Sequence, residues 1–119
     1  MSNLKSSAPH IHGATAFADV LDWGQQPDMV EGVSRSSGRL LFKGSGNSPE
    51  AGVWECTPGR WRLSIPRDEF CHFVKGRAVY RSDEGETIEV RAGTCVLFPA
   101  GWSGEADVTE TIRNIYMLV

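Results

Sequence analysis

Turn punctuation limits this chain more than any other feature of its sequence. Breaks fall at Pro58-Gly59, at Pro66 to Asp68, at Gly76, at Asp83 to Gly85, at Ala92-Gly93 and at Pro99 to Gly101. Between them lie short runs rich in β-branched and aromatic residues, at 52–57, 60–65, 69–75, 77–82, 87–91, 95–98 and 110–119. Gly and Pro at such intervals stop a helix before it reaches ordinary length, so no helix fits after residue 38. Many short strands without intervening helices predict an all-β antiparallel sandwich, jelly roll or small barrel.

The chain has 119 residues and is 40% hydrophobic, enough for one core and one domain. Its 12 Lys plus Arg are scattered along the chain against 15 Asp plus Glu, for a net charge of −3. That distribution argues against nucleic acid or an anionic membrane as partner. No apolar run approaches the roughly 20 residues of a membrane span, and the N-terminal residues lack a signal-peptide core, so a cytoplasmic protein is expected. Cys56, Cys71 and Cys95 form no CxxC pair and are expected to be reduced thiols.

Residues 1–14 are small and polar and are expected to form a mobile arm. Within it His10 and His12 have the spacing of two ligands on one strand face, but no third ligand follows nearby. Phe17, Val20 and Leu21 stand at helical spacing between Thr15 and Gly24, which predicts a short helix over 15–23. Residues 27–37 are turn-rich, and 39–43 read as the first clear strand. The glycine loop at 44–49 lacks the helix start or Lys-Ser/Thr pair of a phosphate site.

The segment PGRWRLSIPRDEFCHFVKG, residues 58–76, sets Glu69 into an apolar and aromatic run. A carboxylate so placed needs a polar cavity, an arginine or a ligand, because an unpaired buried charge is costly. Strand alternation puts Glu69, Cys71, Phe73 and Lys75 on one face and Phe70, His72 and Val74 on the other. A metal site joining Glu69 to His72 would therefore require a bulge. On the preceding strand Arg60, Arg62 and Ser64 alternate with Trp61, Leu63 and Ile65. Either set can face inward: Arg62 inside would pair with Glu69 or hold an anion, and Leu63 and Ile65 inside would make the cavity apolar. Cys71 lacks a neighbouring base and is expected to be an inert thiol. Trp54, Trp61 and Trp102 are candidates for cavity walls or core filling.

Two motif halves carry a family resemblance. Glu69, six intervening residues and Gly76 match the second half of the first cupin motif, and Gly93, Pro99 and Gly101 match the spacing of the second. From about Val53 onward the chain resembles the small cupins, in particular the ureidoglycine aminohydrolase-like and ethanolamine-utilisation cupins. Trp102, Ser103, Gly104, Glu110, Arg113 and Tyr116 are similar to the ending of that narrower group. The resemblance implies a cupin double-stranded β-helix, a jelly-roll-like barrel, over residues 38–119, with residues 1–37 as an arm and flanking elements. It also implies a homodimer, with Phe70, His72 and Val74 or the N-terminal arm at the contact.

The motif departs from the family at its metal ligands. The usual His-x-His positions fall on Arg62 and Ser64, or on Leu63 and Ile65, and the second-motif histidine falls on Gly104. Glu69 alone remains, and transition-metal sites need about three protein ligands, so no metal and no cofactor are expected. The expected function is binding of a small anionic or amide-bearing metabolite, with Glu69 at the polar centre and Arg62, Ser64, Cys71, Tyr80, Trp102 and Tyr116 around it. The alternative is a metal-dependent cupin enzyme, ureidoglycine aminohydrolase-like or an isomerase, with ligands such as His72 or Cys71. A third reading is a dimerisation or scaffold module.

Overall fold

The computed structural model describes residues 7–46 and 48–119, and among them there is no helix. The expected arm at residues 1–14 lies partly outside the described residues. Nine strands join one curled sheet: β1 Leu21–Gln25, β2 Met29–Glu31, β3 Arg35–Lys43, β4 Glu50–Cys56, β5 Gly59–Ser64, β6 Glu69–Ser82, β7 Thr87–Arg91, β8 Cys95–Phe98 and β9 Ser103–Leu118. The all-β cupin barrel expected from the sequence is what forms. No helix of the described chain is long and apolar enough to cross a membrane.

The two longest strands organise the barrel. β6 and β9 pair antiparallel from Glu69↔Leu118 to Ser82↔Gly104. The first half of β6 also pairs with β8, and its second half with β7. The first half of β9 pairs with β5, and its second half with β4. Each long strand thus belongs to both faces of the barrel, and the fold needs a bend midway along them.

Gly76 supplies that bend. The sequence reading ends a strand there, whereas β6 runs through it, with register shifts on both sides. Gly76 sits at φ +89°, and a Cβ would run into the Thr111 carbonyl of β9. A glycine adopts this backbone and lets the pairing resume past the bulge, so the strand kinks where other residues would end it.

Between the halves lies the core of Trp61, Cys71, Phe73, Tyr80, Phe98 and Ile112, with smaller residues around them. Its aromatic rings form a chain: Trp54 stands 6.1 Å from Trp61, Trp61 6.4 Å from Tyr80, and Tyr80 5.3 Å from Phe98. Edge-to-face and tilted contacts of this kind are favourable for ring quadrupoles.

The helix expected at 15–23 does not form. Its first part is a single turn closed by Ala16 and Phe17 N–H groups on the Gly13 carbonyl, and its last part is β1, paired with β3 from Leu21↔Gly38 to Gln25↔Arg35. A nine-residue segment is too short to hold a helix without tertiary support. Here the support favours another shape. Buried Arg113 donates to the carbonyls of Ala14 (3.1 Å) and Phe17 (2.7 Å), and its guanidinium lies 5.1 Å from the Phe17 ring centroid. Its Nε donates to Glu55 at 3.0 Å. Arg113→Lys keeps the charge but loses the fork, and is expected to cost roughly 1–2 kcal/mol. Hydrogen exchange should speed up at residues 14–17 ahead of the barrel strands. Unchanged protection there would remove Arg113 as the clasp.

Candidate ligand-binding site

Strand parity decides what enters the barrel. Glu69, Cys71 and Phe73 point inward and Phe70, His72 and Val74 outward, as alternation along β6 predicts; Cys71 is 2% exposed and Phe70 45%, whereas Lys75, expected on the inward face, is exposed beside Glu55 because the register shifts after Phe73. The open question on β5 is also resolved. Trp61, Leu63 and Ile65 face in, and Arg62 faces out, where its guanidinium makes two 2.9 Å bonds with Asp83. Arg62 therefore does not meet Glu69. The physical reason is packing: Trp61 brings an aromatic surface to the core, and the guanidinium stays solvated on the rim.

A cavity of about 330 Å³ opens between the halves of the sheet, with Glu50, Glu69, Cys71, Tyr80, Asn114 and Tyr116 among its lining. Ser64 reaches its edge and stands 3.5 Å from the Ser103 hydroxyl. Trp102 is not part of the lining. It packs on the far side of Phe98, 5.1 Å away, and donates its indole N–H to Glu86 at 3.2 Å. Of the seven residues expected at the site, the fold gathers Glu69, Ser64, Cys71, Tyr80 and Tyr116 and leaves Arg62 and Trp102 outside.

Glu50 and Asn114 were not anticipated. Glu50 lies just ahead of the run at 52–57, in what reads as the end of a glycine loop. Asn114 was within reach of sequence reasoning, because it stands two residues before Tyr116 and so shares its face. Glu50 of β4 and Glu69 of β6 both pair with Leu118 of β9, on its opposite sides. Their Cα atoms are thus two strand spacings apart, roughly 10 Å, with both side chains turned into the cavity.

Their environments differ. One Glu50 oxygen accepts from the Tyr116 hydroxyl at 2.8 Å, and the other lies 3.9 Å from the Lys43 ammonium. Glu69 accepts from the Cys71 thiol at 3.3 Å, a weak donor. Burial pushes the Glu69 pKa up, the thiol partly offsets this, and the Glu50 charge adds to it. Burial likewise pushes up the Cys71 thiol, helped by the Glu69 charge, so Cys71 is an inert donor and no nucleophile.

Glu69→Gln follows from that shift. The folded protein holds the Glu69 proton more tightly than the unfolded chain does. Its contribution is therefore full below the ordinary carboxylate range and is lost as pH rises through the raised pKa. Glu69→Gln is expected to melt several degrees higher than the parent at pH 7, the gap closing on acidification. A gap independent of pH would contradict this.

The donors do not fit the metal of the wider fold family. The motif positions hold Arg62, Ser64, Leu63, Ile65 and Gly104, and no group of three His, Cys, Asp or Glu side chains among the described residues is placed to hold an ion. His10 and His12 are exposed and meet edge to face, with ring centroids 5.2 Å apart.

The EutQ-like cupin domain model matches residues 44–116, more than half of the chain. This chain is a EutQ-like cupin. No curated protein matches it. Among solved structures, a DUF861-family protein of unknown function from Pseudomonas syringae pv. tomato superimposes with a TM-score of 0.77 at 20% identity, covering 87% of this chain and 45% of its own. This cupin thus spans less than half of that relative. EutQ from Clostridium difficile gives 0.62 at 19% identity over 71% of this chain and 68% of EutQ. A putative ethanolamine utilization protein Q from Salmonella typhimurium gives 0.60 at 22% over 73% and 69%. Likeness at this identity establishes the fold of the EutQ-like cupin.

Proposed function

We propose that this EutQ-like cupin binds a small molecule rich in hydrogen-bond donors, of amide or amine type, in the barrel cavity. One observation carries the reading: the described lining holds two carboxylates, Glu50 and Glu69, and no Lys, Arg or His. The anionic ligand also expected from the sequence relied on Arg62, which is turned away and paired with Asp83. A carboxylate ligand would meet like charge in a cavity where little water screens it. A donor-bearing ligand instead supplies partners that the site lacks.

Thermal shift with butyramide, n-butylamine and butyrate on the parent and on Glu50→Gln/Glu69→Gln tests this. Binding to the folded state alone raises the melting temperature in proportion to ln(1 + [L]/Kd). The two nitrogen-bearing probes should stabilise the parent and lose that effect in the double variant. Stabilisation by butyrate alone would overturn the proposal.

We also propose self-association through the outer face of β8, β6 and β9, where Leu97, Phe70 and Met117 lie side by side across the sheet and are 63%, 45% and 45% exposed. A second copy covering this row would bury apolar surface at about 25 cal/mol per Å². Light scattering should give a dimer mass that Phe70→Asp reduces to a monomer. A monomer in the parent at micromolar concentration would contradict it.

A further inference from the structure

The surroundings of the carboxylate pair carry the chemistry one step further, resting on the reading that the cavity binds a donor-bearing ligand. Three independent features converge there. First, Glu50 and Glu69 flank the cavity from two strands, and the ammonium paired with Glu50, that of Lys43, lies 3.9 Å away with its side chain 63% exposed. Second, Trp54, Trp61 and Tyr80 line the same cavity, and electron-rich ring faces attract a cation. Third, Asn114 is 3% exposed, and its side-chain Oδ1 has no hydrogen-bond partner. An orphaned buried acceptor costs about 1–3 kcal/mol unless a ligand supplies the donor.

We infer that the cavity takes a small organic ammonium ion, its N–H groups held by Glu50, Glu69 and Asn114 and its carbon body against Trp54, Trp61 and Tyr80. A neutral amide satisfies Asn114 but offers the two carboxylates no opposite charge. A metal ion would compensate the charge but finds too few ligands and no use for the aromatic walls. The ammonium ion answers all three features.

Binding is then linked to pH through Glu69. Facing it are Glu50 from β4, with Lys43 of β3 behind, Tyr116 from β9, and Cys71 and Tyr80 from β6 itself, while β5 and β8 contribute Leu63 and Phe98. Burial keeps both tyrosines and the thiol neutral. Burial raises the Glu69 pKa in the empty site, and an ammonium ion favours the ionised form. When the ion enters a site in which Glu69 is protonated, the Glu69 O–H bond breaks, the proton passes to solvent, and the ammonium keeps all of its own protons. Affinity should therefore fall as pH is lowered through the raised pKa of the empty site.

Titration of the isotope-labelled full chain by NMR tests the inference with n-butylammonium, tetramethylammonium, butyramide and calcium chloride as probes. At pH 7.5 n-butylammonium is expected to bind at least tenfold tighter than butyramide, and tighter than it does at pH 5. Glu69→Gln should weaken n-butylammonium at least tenfold while changing butyramide less than threefold, and an unchanged spectrum elsewhere certifies the fold. Tetramethylammonium, which has no N–H for Asn114, should bind more weakly than n-butylammonium. Butyramide binding as tightly as n-butylammonium would overturn the ammonium inference and leave the proposed function standing. Calcium displacing n-butylammonium would overturn it in favour of a metal site. Failure of every probe would overturn both.

Discussion

Gly104→His is expected to destabilise the barrel by about 3 kcal/mol or more, and to leave the purified protein without a stoichiometric transition metal. The substitution writes a histidine where the wider fold family has a metal ligand. Position 104 lies on β9 between Leu63 of β5 and Ser82 of β6, facing inward and buried. A Cβ built there would meet the Arg81 carbonyl and, at 2.8 Å, the Ser82 Cα, both backbone atoms of the neighbouring strand. Backbone in a paired strand cannot step aside as a side-chain tip can. The two strands must separate before any imidazole enters, and ladder hydrogen bonds are lost with them. Urea unfolding should show the midpoint fall, and elemental analysis of untagged protein should show no metal gained. A variant of parental stability that holds zinc, manganese or nickel would refute the account. Restoring the ligand set of the wider fold family takes more than single substitutions, because the backbone has closed over one of the positions.

Phe73→Ala is expected to cost roughly 3–5 kcal/mol, a large share of the 5–15 kcal/mol typical of a domain. Phe73 is 0% exposed and sits three residues before the Gly76 kink, 6.0 Å from the Tyr80 ring. Its backbone is fixed on one side by Thr94 and Gly93 and on the other by Asn114. With the chain so tied, the walls cannot collapse into the space that a benzyl group leaves, and the cavity penalty adds to the lost burial. Tyr80 also loses one of the rings against which it packs, so ligand affinity should drop along with stability. The urea midpoint should fall with an unchanged m value. A loss under about 1 kcal/mol would mean that the region repacks, and that Phe73 is not the fixed centre of the core.

The carboxylate pair and its neighbours illustrate how far a sequence reaches. Period-two alternation needs only the neighbours along one strand, so the inward set of Glu69, Cys71 and Phe73 was legible from residues 69–75. Gly-Pro spacing marked the strands from 87 to 98 to the residue, because turn chemistry is local. The motif halves at Glu69 to Gly76 and Gly93 to Gly101 pointed to the cupin barrel for the same reason, each being a short pattern with its own backbone demand.

What needed the tertiary structure is whatever depends on a choice between two locally equal options. Alternation along β5 sorts Arg62 from Trp61 but gives no sign, and the sign came from Trp61 packing on Trp54 and Tyr80 while Arg62 found Asp83 across the rim. The 15–23 segment has a helical pattern, yet Arg113, nearly a hundred residues away, holds its first turn while β3 takes its end as a strand. Gly76 reads as a stop in sequence, but a φ of +89° lets β6 continue because β9 offers a partner on both sides of the kink. Glu50 meets Glu69 only because β9 lies between their strands and pairs with both. Local patterns decide conformation residue by residue; which carboxylate faces which, and across what walls, is set by strand order, to which no single segment of the chain is sensitive.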